Sequence, residues 1–332
     1  MNDPSYQPPF FQGSNYGYVI GGSGGLTAVD RYSFSADGNA TDVGDIKYDE
    51  NYPTNPSSPS VYQGSGIRMN AGNSSSTHGY SVGGFSYGHP AQKTDYIGKL
   101  PFASNGNVID IGNLTFSRVR ITTSSSETYG YAAGGAGSGA GPGAHPDGGS
   151  TGTYRLNIID KFPFSSDDNA TDVGDLTEDL ERGAGLSSRD FGYAAGGRKD
   201  PSPAIVNVIE RWSHTADENS ADVGDLTAAT ELAAGISAST VGYSTGGATD
   251  KTIIEKFTFS SSANSTDVGT LTQGAWYNTG TSSTVSGYVA GGKDPSNTNL
   301  NTIQKFPFAA DTASTDVGDL VSTRFEAASA QY

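Results

Sequence analysis

A six-fold internal repeat constrains this chain more than any other feature. A Gly-Tyr-x-x-Gly-Gly pattern begins at Gly17, Gly79, Gly130, Gly192, Gly242 and Gly287. An Asp-(Val/Ile)-Gly pattern begins at Asp42, Asp110, Asp172, Asp222, Asp267 and Asp316. Self-similarity at roughly fifty residues implies one supersecondary unit copied and packed against itself.

The fifth unit is the cleanest copy. Gly242 to Gly247 reads as a strand closed by a diglycine that lets the backbone turn tightly. Thr252 to Phe259 is β-branched and aromatic with near-alternate apolar positions, which predicts a second strand. After a small polar turn, Thr266 to Leu271 gives a short third strand, and Ala275 to Ser282 a fourth. Four short strands per unit form one blade of a β-propeller. The spacing predicts an all-β fold of six four-stranded blades, beginning near residues 17, 79, 130, 192, 242 and 287.

Spacings separate the rigid parts from the free ones. The aromatic strand end and the repeated Asp are eight residues apart in every unit, from Phe34 to Asp42 through Phe308 to Asp316, with His214 in place of Phe in the fourth. The step between blades is sixteen residues from Leu114, Leu176, Leu226 and Leu271. The first step, Ile46 to Gly79, carries an insertion within residues 47 to 64. The N-terminal blade lacks an innermost strand, and the C-terminus has one to spare, expected around Arg324 to Ser329. The C-terminal strand is therefore expected to join the N-terminal blade and close the ring, because an open stack leaves unpaired edges.

The diglycine strand, the hydrophobic strand and the short strand after it resemble the kelch repeat over residues 14 to 332. The Trp common on the outer kelch strand is replaced by Asp-Val-Gly-Asp-Leu, as at Asp172 to Leu176. That wording, with Lys161-Phe162-Pro163-Phe164 and the polar turn after it, is similar to kelch-like propellers of marine tailed phages, including cyanophages. Such proteins are usually virion or tail-associated. The resemblance implies a non-enzymatic virion protein made in the host cytoplasm and attached to tail, fibre or capsid. Other virion proteins would be its partners, with a role in host recognition. A lectin-like module binding host-surface glycan is the alternative.

Composition narrows the partners. Lys and Arg total 19 against 35 Asp and Glu, a net charge of −16. Such a surface repels phosphate backbones and argues against nucleic acid. No cysteine is present, which rules out disulfides and thiolate chemistry, including a copper oxidase with a Cys–Tyr crosslink. No basic-then-apolar leader is visible, and no run approaches a membrane span.

Chain direction places the loops after each diglycine, and those between blades, on one face. Nearly all length variation falls there, while the other face carries six near-equal turns. Variable loops on a rigid scaffold are where binding usually sits. The candidate binding residues on that face are Tyr48, Tyr52 and Tyr62 of the first insertion, Phe85, Tyr87 and His89, His145 of the long glycine-rich loop, Arg198 and Lys293. Residues 1–13 form a proline-rich arm in which Tyr6, Phe10 and Phe11 are candidate docking anchors.

Chemical motifs are weak. The repeated Asp residues suit a turn-capping role better than a ring of acids or metal ligands. The acidic turns lack the Gly and Glu spacing of a calcium loop. The four histidines have no metal-ligand spacing, and His214 is expected to pack. No cofactor is implied, and no paired carboxylates or His-centred cluster predict catalysis.

Overall fold

A computed structural model describes residues 12–46, 66–87, 92–138, 153–199 and 204–332. Its secondary structure is β throughout, apart from one short 3-10 turn at Ser23–Gly25. The architecture is propeller-like: a four-stranded antiparallel sheet recurs six times.

The third copy shows the pattern. Its inner strand is Thr122–Ser125, followed by Tyr129–Ala133, Ile158–Pro163 and the outer strand Thr171–Asp175. Each pairs with the next in sequence. The diglycine ends the second strand as expected, with φ +62° at Gly134 and +101° at Gly135. A side chain is disfavoured at such angles, and a Cβ on Gly134 would lie 2.3 Å from the Leu180 carbonyl oxygen.

The first sheet takes strands from both ends of the chain. Tyr16–Ile20 pairs with Ala28–Ser33 on one side and with the C-terminal strand Ala328–Gln331 on the other. That strand begins four residues later than the sequence suggested. Arg324 is not part of it. Its side chain is buried against Asp30, and Glu326 takes a left-handed turn at φ +58°.

Three sets of interactions run from sheet to sheet and return to their start. The first is aromatic. The Tyr of each Gly-Tyr pair stacks on the strand-end ring of the following sheet: Tyr18 on Phe102, Tyr80 on Phe164, Tyr131 on His214, Tyr193 on Phe259, Tyr243 on Phe308 and Tyr288 on Phe34. Ring centroids are 4.7–5.3 Å apart, with Tyr80 on Phe164 among the closest and Tyr243 on Phe308 the widest, a favourable offset-stacking range. The Gly before the Tyr leaves room for an aromatic residue, since a Cβ on Gly130 would lie 2.3 Å from the Phe162 ring.

The second set is backbone only. Just before each inner strand sits a residue with φ between +55° and +66°: Met69, Arg120, Arg182, Leu232, Tyr277 and Glu326. Each donates its N–H to the carbonyl of the preceding one, and Met69 donates to Glu326, which completes the cycle. The third set lies at the other end of the inner strands. Ser74, Ser125, Ser187, Ser237 and Ser282 each donate a backbone N–H to the side-chain oxygen of the next residue in this series. Ser282 donates to Gln331, and Gln331 to Ser74.

Between these two cycles the inner strands nearly touch. A Cβ on Gly235 would lie 2.0 Å from the Gly185 carbonyl oxygen, and one on Gly72 would lie 1.8 Å from that of Ser329. Thr123 and Ser329 occupy the same level and turn their hydroxyls onto the Gly72 and Gly280 carbonyls.

The two faces differ as chain direction implied. On the turn face, Asn39, Asn107, Asn169, Asn219 and Asn264 accept N–H groups from outer strands of neighbouring sheets. On the loop face the second, third and fourth copies carry short added ribbons. Ile67–Arg68 pairs with Phe85–Ser86, Arg118–Val119 with Ala136–Ser138, and Leu180–Glu181 with the long strand Phe191–Lys199. The loop expected from Ala136 to Thr153 is thus a ribbon at its two ends.

Candidate functional site at the loop-face mouth

The repeated Asp residues are committed to structure. Asp42, Asp110, Asp172, Asp222, Asp267 and Asp316 each accept the N–H of the glycine two residues on. This local carboxylate–amide bond is how Asp stabilises a tight turn. Among the described residues, no three His, Asp or Glu side chains converge as a metal ion requires. His214 is packed. It stacks on Tyr131 and bonds Ser124, and burial pulls its pKa down to about 4.

The inner strands surround a cavity of about 190 Å³ that runs between the two cycles. Its loop-face mouth is framed by the six left-handed residues, so their side chains form the rim. The position demands φ > 0 rather than a particular side chain, and Arg120, Arg182, Tyr277 and Glu326 bring charge and hydrogen-bonding capacity to it.

A network of ion pairs radiates from this rim. Arg120 meets Glu181 at 3.3 Å, and Arg155 meets the same carboxylate at 3.0 Å. Arg182 and Arg198 reach Glu231 at 2.9 and 2.8 Å. Arg68 meets Glu326 at 3.3 Å and lies over the rings of Phe85 and Tyr87. Five guanidiniums thus share three carboxylates. Half of the chain's ten arginines stand here, in a molecule of net charge −16.

The electrostatics follow from burial and crowding. Burial raises the Glu326 pKa against the opposing pull of Arg68, Arg120, Arg182 and Lys293. Burial lowers that of Lys93, and the nearby Arg120 lowers it further. For Arg182, burial disfavours the charge, yet Glu181 and Glu231 outweigh it and its pKa is raised. Aromatic rings complete the rim. Trp276, Tyr277 and Phe325 are in contact, and the Lys293 ammonium lies 4.3 Å from the Phe325 ring centroid.

Deeper in the cavity the lining is polar but neutral. Asn70 is 7% exposed, and its Nδ2 donates to Ser81 Oγ while its Oδ1 has no partner among the described residues. Both side-chain polar atoms of Asn278 are likewise unpartnered.

Of the residues singled out from sequence, Phe85, Tyr87, Arg198 and Lys293 stand on this face, each in the contacts given above. Tyr6, Phe10, Phe11, Tyr48, Tyr52, Tyr62, His89 and His145 lie outside the described residues. Sequence reasoning missed Arg68, Arg120, Arg155 and Arg182. Their one signal was position: Arg120 and Arg182 hold equivalent places two residues before an inner strand.

No protein-family model matches this chain, and no curated protein matches it.

Proposed function

We propose that this chain is a closed six-bladed kelch-type propeller. In this reading it is carried on the particle of a tailed phage as a non-enzymatic attachment protein. The observation that carries this reading is the placement of the ends. Gln12 and Gly13 bond Ser283 and Ser282, and Asn15 and Tyr16 donate to the Tyr332 carbonyl. Both ends therefore leave from the turn face. Anchorage through either one presents the loop face, with its uneven ribbons and charged mouth, away from the particle.

The repeated carboxylates support a scaffold over an enzyme, because each is held by a turn amide. Partners on this reading are other virion proteins at the turn face and a host-surface ligand at the loop face. Mass spectrometry of purified particles, with antibody labelling of intact ones, tests it. The chain is expected at fixed stoichiometry and accessible to antibodies against the loop face. Its absence from the particles ends the attachment reading.

The aromatic and guanidinium groups at one mouth favour a second reading, a glycan-binding module. Tyr87, Tyr277 and Phe325 offer ring faces beside hydrogen-bond donors, as sugars require. Loss of cell adsorption on Tyr87→Ala and Tyr277→Ala supports it, and unchanged adsorption counts against it.

A further inference from the structure

We infer that the mouth of the axial cavity binds a carboxylate-bearing sugar, a uronate residue of an acidic polysaccharide. The inference rests on the reading of the loop face as the recognition surface. It does not depend on where the protein is carried.

Two independent observations point to such a ligand. Charge is the first. Five arginines share three carboxylates at the rim, with Lys93 and Lys293 beside them. Like charges held this close repel, and an anion relieves the repulsion. Arg120 has an Nε–H with no partner among the described residues, and its planar fork suits a carboxylate.

The unsatisfied groups below the rim are the second. Asn70 is buried to more than nine-tenths, lines the cavity and leaves its Oδ1 without a donor. Asn278 lines it with a free acceptor and a free donor. Buried polar groups left unpaired cost free energy that a ligand recovers by pairing them. The cavity thus places cationic groups at its entrance and neutral hydroxyl-matching groups at depth.

A uronate has that order of groups, a carboxylate on one side of the ring and hydroxyls on the other. An acidic peptide side chain offers the carboxylate but nothing for Asn70 and Asn278. Volume agrees. About 190 Å³ is below the roughly 300 Å³ at which drug-sized sites begin, and it suits one sugar ring. Tyr277, on the rim, supplies a ring face for the apolar side of the sugar.

Isothermal titration of the purified full chain at low salt decides the matter. Sodium glucuronate is the probe, with glucose and triglutamate peptide as comparators. Glucuronate is expected to bind at least tenfold more tightly than either. Arg120→Gln and Asn278→Ala should each weaken it about tenfold, and Glu326→Gln should tighten it by removing a competing carboxylate. Thermal unfolding of each variant identifies any that fails to fold, and the remaining variants then decide. Glucuronate binding no tighter than glucose overturns the inference. So does triglutamate binding that equals it and ignores Asn278→Ala, which would mark an acidic-peptide site. Neither result alters whether particles contain the protein, so attachment stands or falls separately.

Discussion

Arg324 and Asp30, from opposite ends of the chain, form a buried ion pair at 3.0 Å, with side chains 1% and 0% exposed. Arg324 also donates from Nη1 to the carbonyls of Gly21 and Ala28, and Asp30 accepts the N–H of Val321. The third sheet repeats the arrangement with Arg118 and Asp160 at 2.8 Å. The fourth and fifth sheets solve the same problem otherwise. There the longer Glu210 and Glu255 hold the interblade Thr177 and Thr227 and also accept from Ser220 and Ser265. Ala40 and Ala170 stand where those serines would be. Asp, Ala and Arg thus travel together, as do Glu and Ser without Arg.

This exchange is testable in the third sheet. Arg118→Leu alone strands a buried carboxylate and is expected to cost about 3–5 kcal/mol. Adding Asp160→Glu and Ala170→Ser installs the set used in the fourth sheet, which has Leu180 at the Arg118 position. Most of the loss should return, as read from urea unfolding midpoints.

His214 makes the fold acid-sensitive at one point. Its folded pKa is about 4, below the ordinary value of 6.5. As pH falls through 6.5 the unfolded chain takes up a proton that the folded chain refuses. Stability is therefore lost from about pH 6.5 down to about 4. His214→Phe, matching the other five strand ends, removes this term. Between pH 7 and pH 5 the wild type should lose about 2 kcal/mol more than the variant in urea titrations.

Gly235 tests the closeness of the inner strands. Its φ is ordinary, so the obstacle to a side chain is the Gly185 carbonyl rather than backbone strain. Gly235→Ala should destabilise by about 1–3 kcal/mol through overpacking. Thr123→Ser, which keeps a hydroxyl on the Gly72 carbonyl, should be close to neutral. Thermal unfolding of the two variants compares them.

Deleting residues 328–332 removes the strand that pairs with Tyr16–Ile20 and interrupts the serine-side cycle. It also exposes a strand edge rich in Val and Ile. The truncated chain is expected to aggregate or remain unfolded, as light scattering and circular dichroism would show. A soluble, cooperatively folded product would mean that the remaining five sheets stand without it.

Much of the architecture was legible because each repeat announces its own strands. The diglycines, the fixed eight-residue spacing and the missing inner strand of the first unit led to the sheets and to the pairing of the C-terminal strand with the first. The start of that strand was misplaced because Arg324-Phe325-Glu326 reads as alternation, whereas Arg324 serves a buried pair and Glu326 a left-handed turn. The charged mouth was nearly invisible. Arg68 and Arg198 are 130 residues apart in sequence. The left-handed position, filled by Met, Arg, Leu, Tyr and Glu, leaves no compositional mark. Only the cyclic arrangement of inner strands gathers these residues around one opening.

Because the two hydrogen-bond cycles pass through every inner strand alike, the folded body does not register where its polypeptide starts. Splicing Tyr332 to Gln12 through a short linker and cutting at any other turn-face bend would leave both cycles intact. The six sheets then behave as links of a bracelet with no privileged clasp. Under tension no single sheet can swing outward first, so mechanical failure is expected to be abrupt and global.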